Sequence, residues 1–268
     1  MGWRAAWQAI GLALVACVVL FTLFMFRDPS PEEQARIREK AGRARTGRLA
    51  RFSLPEPARP ERDYTLAEAR RTYSFWLFNA VIGFSSLVST GFTFHVVSIF
   101  AMSGMGRDEA LAVFLPATLV AVAVQAFGSV VSDYVRLRSF AVLHMAGVLM
   151  MMVSSLALGP GLSYWLLVFG LGLNTAMMGI NGVVVWPRFF GLAHLGRISG
   201  ESFVWMVAGS AFGPYAYSLS EAFFGSYDAA VLIFACVAAV LLALSWFAHN
   251  PNALVARRSD GGGCPFSR

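Results

Sequence analysis

Apolar residues in this chain fall in long, nearly unbroken runs, unlike the alternation of a half-buried strand or the narrow stripe of a surface helix. Seven runs approach the roughly 20 residues that carry a helix across about 30 Å of hydrocarbon. They are Ala6–Phe26, Tyr73–Ile99, Ala110–Val131, Ser139–Leu158, Leu162–Trp186, Gly200–Ala222 and Asp228–Ala248. Each must be helical, because lipid offers a backbone amide no partner. The expected fold class is therefore all-α: a polytopic membrane helix bundle with seven transmembrane helices. Connections after Tyr73 are short, so residues 73–248 read as one six-helix bundle. A first transmembrane helix at 1–26 and a cytoplasmic basic loop at 27–72 precede it, and a cytoplasmic tail at 249–268 follows.

The polar loop has its own pattern. Pro31–Phe52 can form a surface helix with Glu32/Arg36 and Glu39/Arg43 paired four apart. The stretch Pro55–Pro60 blocks helix and forms a stiff linker. Thr65 and Glu68 stand at capping-box spacing ahead of the second run.

Charge fixes an orientation for these elements. The 268 residues carry a net charge of +6, yet only 13% are charged and 57% are hydrophobic, against about 25% charged in a soluble domain. With connections alternating between two sides, all but two of the 21 Lys and Arg residues fall on one side; Arg4 and Arg107 are the exceptions. That asymmetry is the positive-inside pattern, which puts the long loop and the carboxyl terminus in the cytoplasm and the amino terminus outside. It also accounts for the basic pI without nucleic acid as a partner.

The chemistry available is sparse. Cys17, Cys236 and Cys264 fit neither a metal site nor a disulfide framework. No Gly-x-Ser-x-Gly or His-Glu-x-x-His motif occurs, and the single lysine, Lys40, lies in the polar loop, away from any retinal-type pocket. The first run lacks a cleavage signal, and its positive charge follows it. No catalytic residue, metal or cofactor is expected. What the runs do carry is polarity at membrane depth, where polar groups need a partner or a cavity. Asn79, Gly83, Ser86, Thr90 and Thr93 fall within about ±40° of one line along the second run. Asn174 and Asn181 share a face of the fifth. Asn79 and Asn181 come out at one depth, and Ser86 and Asn174 at another. These positions suggest a water-filled path, the plain alternative being interhelical hydrogen bonding. His95 and His144 read as hydrogen-bonded packing residues. Gly209 and Gly213, followed by Pro214, read as a close helix contact with a bend.

Several segments together resemble the major facilitator superfamily. Gly2-Trp3-Arg4-Ala5-Ala6-Trp7, leading into a run that ends Arg27-Asp28-Pro29, looks like that family's sixth helix, and the basic loop like its central cytoplasmic loop. Ser129–Arg138 resembles the family's loop motif of a small residue, Asp and basic residues. It departs from the pattern at Ser129, Tyr134 and Arg136. Trp186-Pro187-Arg188-Phe189-Phe190-Gly191, Leu195–Gly200, Gly213-Pro214 and Gly225-Ser226-Tyr227 are similar to the monocarboxylate and oxalate/formate branch.

The resemblance implies a secondary active transporter of small organic solutes or anions, present as its sixth to twelfth helices. Its path would be lined by Asn79, Ser86, Thr90, Thr93, Asn174 and Asn181. Asp133, Arg136, Arg138 and Glu201 would be gate contacts; for Glu201 the plain reading is helix capping. It also implies a missing amino-terminal half or a second copy as partner, and a multi-pass location expected to be a bacterial plasma membrane. A non-transporting scaffold or an inactive truncated transporter is the alternative.

Overall fold

Long apolar runs make long helices. The computed structural model describes residues 3–25, 33, 36, 63–132 and 135–248, and no strand occurs among them. The chain divides into two units, Met1–Phe52 and Ser53–Arg268. The first holds α1, Trp3–Met25, whose central Gly11–Leu20 is apolar.

The second unit opens with Thr65, which caps the one-turn α2, Leu66–Ala69. Its hydroxyl accepts from Glu68 N, while the Glu68 carboxylate accepts from Thr65 N at 2.8 Å. This is the capping box that the Thr65/Glu68 spacing predicts. Thr72 then caps α3, Tyr73–Met102. The third apolar run forms α4, Arg107–Ala112, and α5, Phe114–Val131. Pro116 explains the break at Val113, since its ring collides with a helical carbonyl four residues back. The remaining helices are α6, Leu137–Leu156; α7, Leu162–Phe190; α8, Leu195–Phe224; and α9, Asp228–Trp246.

By length and composition, five helical segments among the described residues suffice to cross a membrane: α3, α4 with α5, α6, α7 and α9. At 30 residues α8 is long enough, but Ser199, Glu201, Ser202, Ser210, Ser218, Ser220 and Glu221 make it less apolar. Both α7 and α8 outrun their apolar windows. Arg188 and Arg197 end the runs without ending the helices, and a glycine at φ +84°, Gly191, finally stops α7.

Packing gathers the helices around two seams. Along one, α3 lies on α8; along the other, α7 lies on α6 and α5, with α9 behind α6. Glycine makes the first seam close: a Cβ at Gly209 would overlap the Gly83 carbonyl oxygen, and one at Gly213 the Leu87 carbonyl oxygen. Backbone therefore meets backbone, the close contact that a small-xxx-small pair permits.

At the Arg70 end of the bundle, the approach segment folds back on the α7–α8 turn. Tyr64 N donates to Phe190 O at 2.9 Å, and Asp63 Oδ1 accepts from Leu192 N at 2.8 Å and Ala193 N at 3.2 Å.

Candidate functional site

Between α3, α7 and α8 lies a cavity of about 560 Å³, inside the range of small-molecule sites. Its wall combines Asn174, Thr175, Ser89, Ser199 and Ser202 with Trp186, Phe203, Met178 and Met206. Gly182 faces open space, and Gly179 makes room for the Gln125 amide behind it. Val183 and Phe203 are exposed at the rim. Among the described residues, no charged side chain lines it. Two of its hydroxyls are already spent on their own helices: Thr175 donates to Leu171 O at 2.9 Å and Ser199 to Leu195 O at 2.8 Å.

Behind Asn174 runs a buried hydrogen-bonded chain through three helices. Asn181 Nδ2 on α7 donates to His144 Nδ1 on α6 at 3.0 Å. With the Asn181 amide in this orientation, His144 carries its proton on Nε2, which lies 2.8 Å from Ser85 Oγ on α3 and 3.1 Å from Asn174 Oδ1. Ser85 Oγ in turn donates to Asn174 Oδ1 at 2.5 Å. His144 and Asn181 are 0% exposed, and Asn174 1%. Two ends of the chain are left over: Asn174 Nδ2 and Asn181 Oδ1 have no partner among the described residues. Since an unmade buried hydrogen bond costs roughly 1–3 kcal/mol, these are places where a ligand or water is wanted.

The residues singled out from the sequence are distributed unevenly around this site. Asn174 lines the cavity and Asn181 holds the far end of the chain. Asn79 is buried one turn from the cavity residue Ile82, with neither amide atom partnered among the described residues. Ser86 is buried next to Ser85 but takes no part in the chain. Thr90 Oγ1 lies 3.0 Å from Ser210 Oγ on α8, across the seam. Thr93 is exposed and donates to Ser89 O at 2.8 Å in its own helix.

Of the gate residues, Asp133 lies outside the described residues. Arg136 is exposed at the start of α6, and the Arg138 guanidinium sits 5.7 Å from the Trp246 ring centre. Glu201 accepts from Arg70 Nε through both oxygens, at 2.9 and 3.2 Å. Trp76 Nε1 supports that pair by donating to Arg70 O at 2.7 Å. Nearby, Arg188 donates to Ser132 O, tying the end of α7 to that of α5.

Sequence reasoning passed over Ser85 and Ser89, which flank the polar stripe, and over Gln125, whose amide lies against Gly179. Gln125 was open to detection as an amide within an apolar run. Ser85 was not, because the rotation of α3 about its axis depends on what packs against it.

At the opposite end, His95 Nε2 lies 3.1 Å from Pro214 O and 3.4 Å from Ser218 Oγ, and its Nδ1 lies 3.2 Å from Tyr227 Oη. Tyr227 Oη donates to Glu221 Oε2 at 2.7 Å, and the His95 ring stacks on Tyr217.

No curated protein matches the chain. A family model does, over residues 1–214: the Major Facilitator Superfamily. With most of its length matched, and with a bundle of apolar helices around a largely apolar cavity that carries a buried amide in its wall, the chain belongs to the major facilitator superfamily of membrane transporters.

Proposed function

We propose that this chain is a secondary active transporter of small organic solutes and that its solutes pass through the cavity between α3, α7 and α8. The observation that carries this is Asn174: a buried amide on a cavity wall, held on one side and, among the described residues, unpartnered on the other. Transporters of this architecture place their sites near the midplane between two structural repeats. In our reading, α3 to α9 form six spans and one such repeat, equivalent to the family's seventh to twelfth helices, with α1 equivalent to the sixth. That makes seven spans, with the amino terminus outside and the Arg70 end cytoplasmic. The charge asymmetry of the sequence supports this orientation. The exposed rim at Val183 and Phe203 supports a second wall, from another copy or an amino-terminal half. The segments resembling the monocarboxylate and oxalate/formate branch make small organic acids and their uncharged amides the solutes to try. The host membrane in this reading is a bacterial plasma membrane. Asn79, Ser86, Thr90 and Thr93 follow the path beyond Asn174, Asn181 stands behind its wall at the far end of the hydrogen-bonded chain, and Asp133, Arg136, Arg138 and Glu201 act at its cytoplasmic gate.

Two experiments test this. Reporter fusions at Gly47, Leu137 and the tail should read cytoplasmic and one at Met105 external; Gly47 and Met105 on the same side would refute the span count. Held monomeric in liposomes, the chain should give no saturable, gradient-driven uptake of any of a panel of labelled small organic acids and amides, and uptake of at least one should appear once the second wall is supplied. Uptake by the monomer would refute the two-wall reading.

A further inference from the structure

The cavity has an oriented wall. Asn174 is an amide with two chemically opposite ends, and the chain behind it decides which end the cavity meets. Its Oδ1 is occupied by the Ser85 hydroxyl at 2.5 Å and by His144 Nε2 at 3.1 Å. Its Nδ2, a double donor, has no partner among the described residues and lies just beneath the wall, on a side chain that lines the cavity, so a guest meets it after a small shift of that side chain. That orientation traces back to His144. Asn181 donates to Nδ1, so the ring proton is on Nε2 and points along the chain toward Ser85 and Asn174. Were the proton on Nδ1, every bond in the chain would reverse and Asn174 would show the cavity its oxygen.

We infer that Asn174 Nδ2 is the recognition donor of this cavity, held by Ser85, His144 and Asn181, and that it selects an uncharged solute presenting an acceptor oxygen. A carbonyl or amide oxygen fits best. No described residue on this wall pairs with a charge on the solute. Among the described residues the wall has no cation to pair an anion and no carboxylate to pair a cation, and an unpaired charge in such surroundings is heavily penalised. Of the four hydroxyls on the wall, those of Thr175 and Ser199 have spent their protons on backbone and can only accept, which also suits a neutral guest. Trp186, Phe203, Met178 and Met206 supply an apolar bed for the rest of the molecule. Ser85, His144 and Asn181 are positioning residues that act through Asn174. This assignment rests on reading the cavity as the solute path, but its tests do not require transport.

The first test is the histidine tautomer. In the full chain in lipid nanodiscs, labelled with 15N-histidine, the resonances lost on His144→Gln identify His144. The expected signature is a neutral ring with the proton on Nε2 and an accepting Nδ1. A proton on Nδ1 overturns the assignment, because the wall then offers an oxygen.

The second test is occupancy. A cysteine replacing Val183 at the rim, in a chain without its native cysteines, reports binding through slowed maleimide labelling. The probes are matched amide and carboxylate pairs: acetamide and acetate, butyramide and butyrate, benzamide and benzoate, nicotinamide and nicotinate. At least one amide should protect while its carboxylate does not, and N174A should abolish that protection without changing the unprotected rate. S85A should weaken protection, and should do nothing further once Asn174 is replaced. Protection by carboxylates equal to that by amides, protection by no amide, or protection that survives N174A each overturns the inference. Should N174A fail to fold, N174D removes the donor while keeping the shape, and protection should vanish in the same way. Amide binding with no uptake even once the second wall is supplied would leave this inference standing and bring down the transport reading alone.

Discussion

His95 and His144 sit in polar clusters at different levels of one bundle, and the surroundings of the two rings differ in kind. His144 is sealed: three helices close around it, and each ring nitrogen faces a side chain that is itself buried. His95 is half-buried. One of its nitrogens rests on a backbone carbonyl, the other on Tyr227, and the cluster ends at Glu221, an exposed carboxylate. The inner cluster has no water to fall back on, so each loss is felt in full. The outer one can exchange a lost partner for solvent. Two residues of one type in similar apolar runs thus do different work: one fixes an amide's direction, and the other fastens α3 to α8 and to the turn before α9.

The largest expected effect that sharpens this contrast is stability. Replacing His144 by Leu strands Asn181 Nδ2 and removes the donor to Ser85, costing about 3 kcal/mol. His95→Leu should cost about 1 kcal/mol. Thermal unfolding of the purified variants in detergent measures both, and equal losses would break the comparison.

Next comes access. A cysteine at Ser85 should react with small water-soluble thiol reagents on the order of tenfold more slowly than one at Ser89, which lines the cavity. Similar rates would mean that the inner cluster is open. Tyr227→Phe should cost about 1 kcal/mol or less, because Glu221 regains water. A larger loss would show the outer cluster to be as closed as the inner. The smallest effect belongs to the Arg70–Glu201 pair. With Arg70 half-exposed, Glu201→Gln should cost about 0.5 kcal/mol and the difference should shrink as salt rises. Unfolding at two ionic strengths checks that.

How much of this could be read without coordinates depends on what each feature rests on. Helix positions rest on the local chain. The apolar runs at Tyr73, Leu162 and Asp228 begin where α3, α7 and α9 begin, and Thr65 with Glu68 announces its cap. The break at Val113 was in principle legible too, from Pro116. The site depends on rotation and register between helices, which one helix's pattern does not set. A polar line through Asn79, Ser86, Thr90 and Thr93 is correct geometry for α3 alone. Packing against α6 and α7 then brings Ser85, about 100° away from Ser86, to His144 and Asn174. Thr93, on the same line, satisfies itself on Ser89 O within its own helix. Asn174 and Asn181 share a face in sequence and remain together in space, because seven residues along one helix leave no freedom between them.

The glycine seam has a mechanical consequence. Where side chains separate two helices, rotamer changes let one slide on the other at modest cost. Between Gly83 and Gly209, and between Leu87 and Gly213, peptide groups touch directly, and peptide groups have no rotamers. The pair of α3 and α8 therefore behaves as one stiff lever. If the cavity opens and closes, the movement falls to its other wall, to which α7 contributes Asn174, Met178 and Val183.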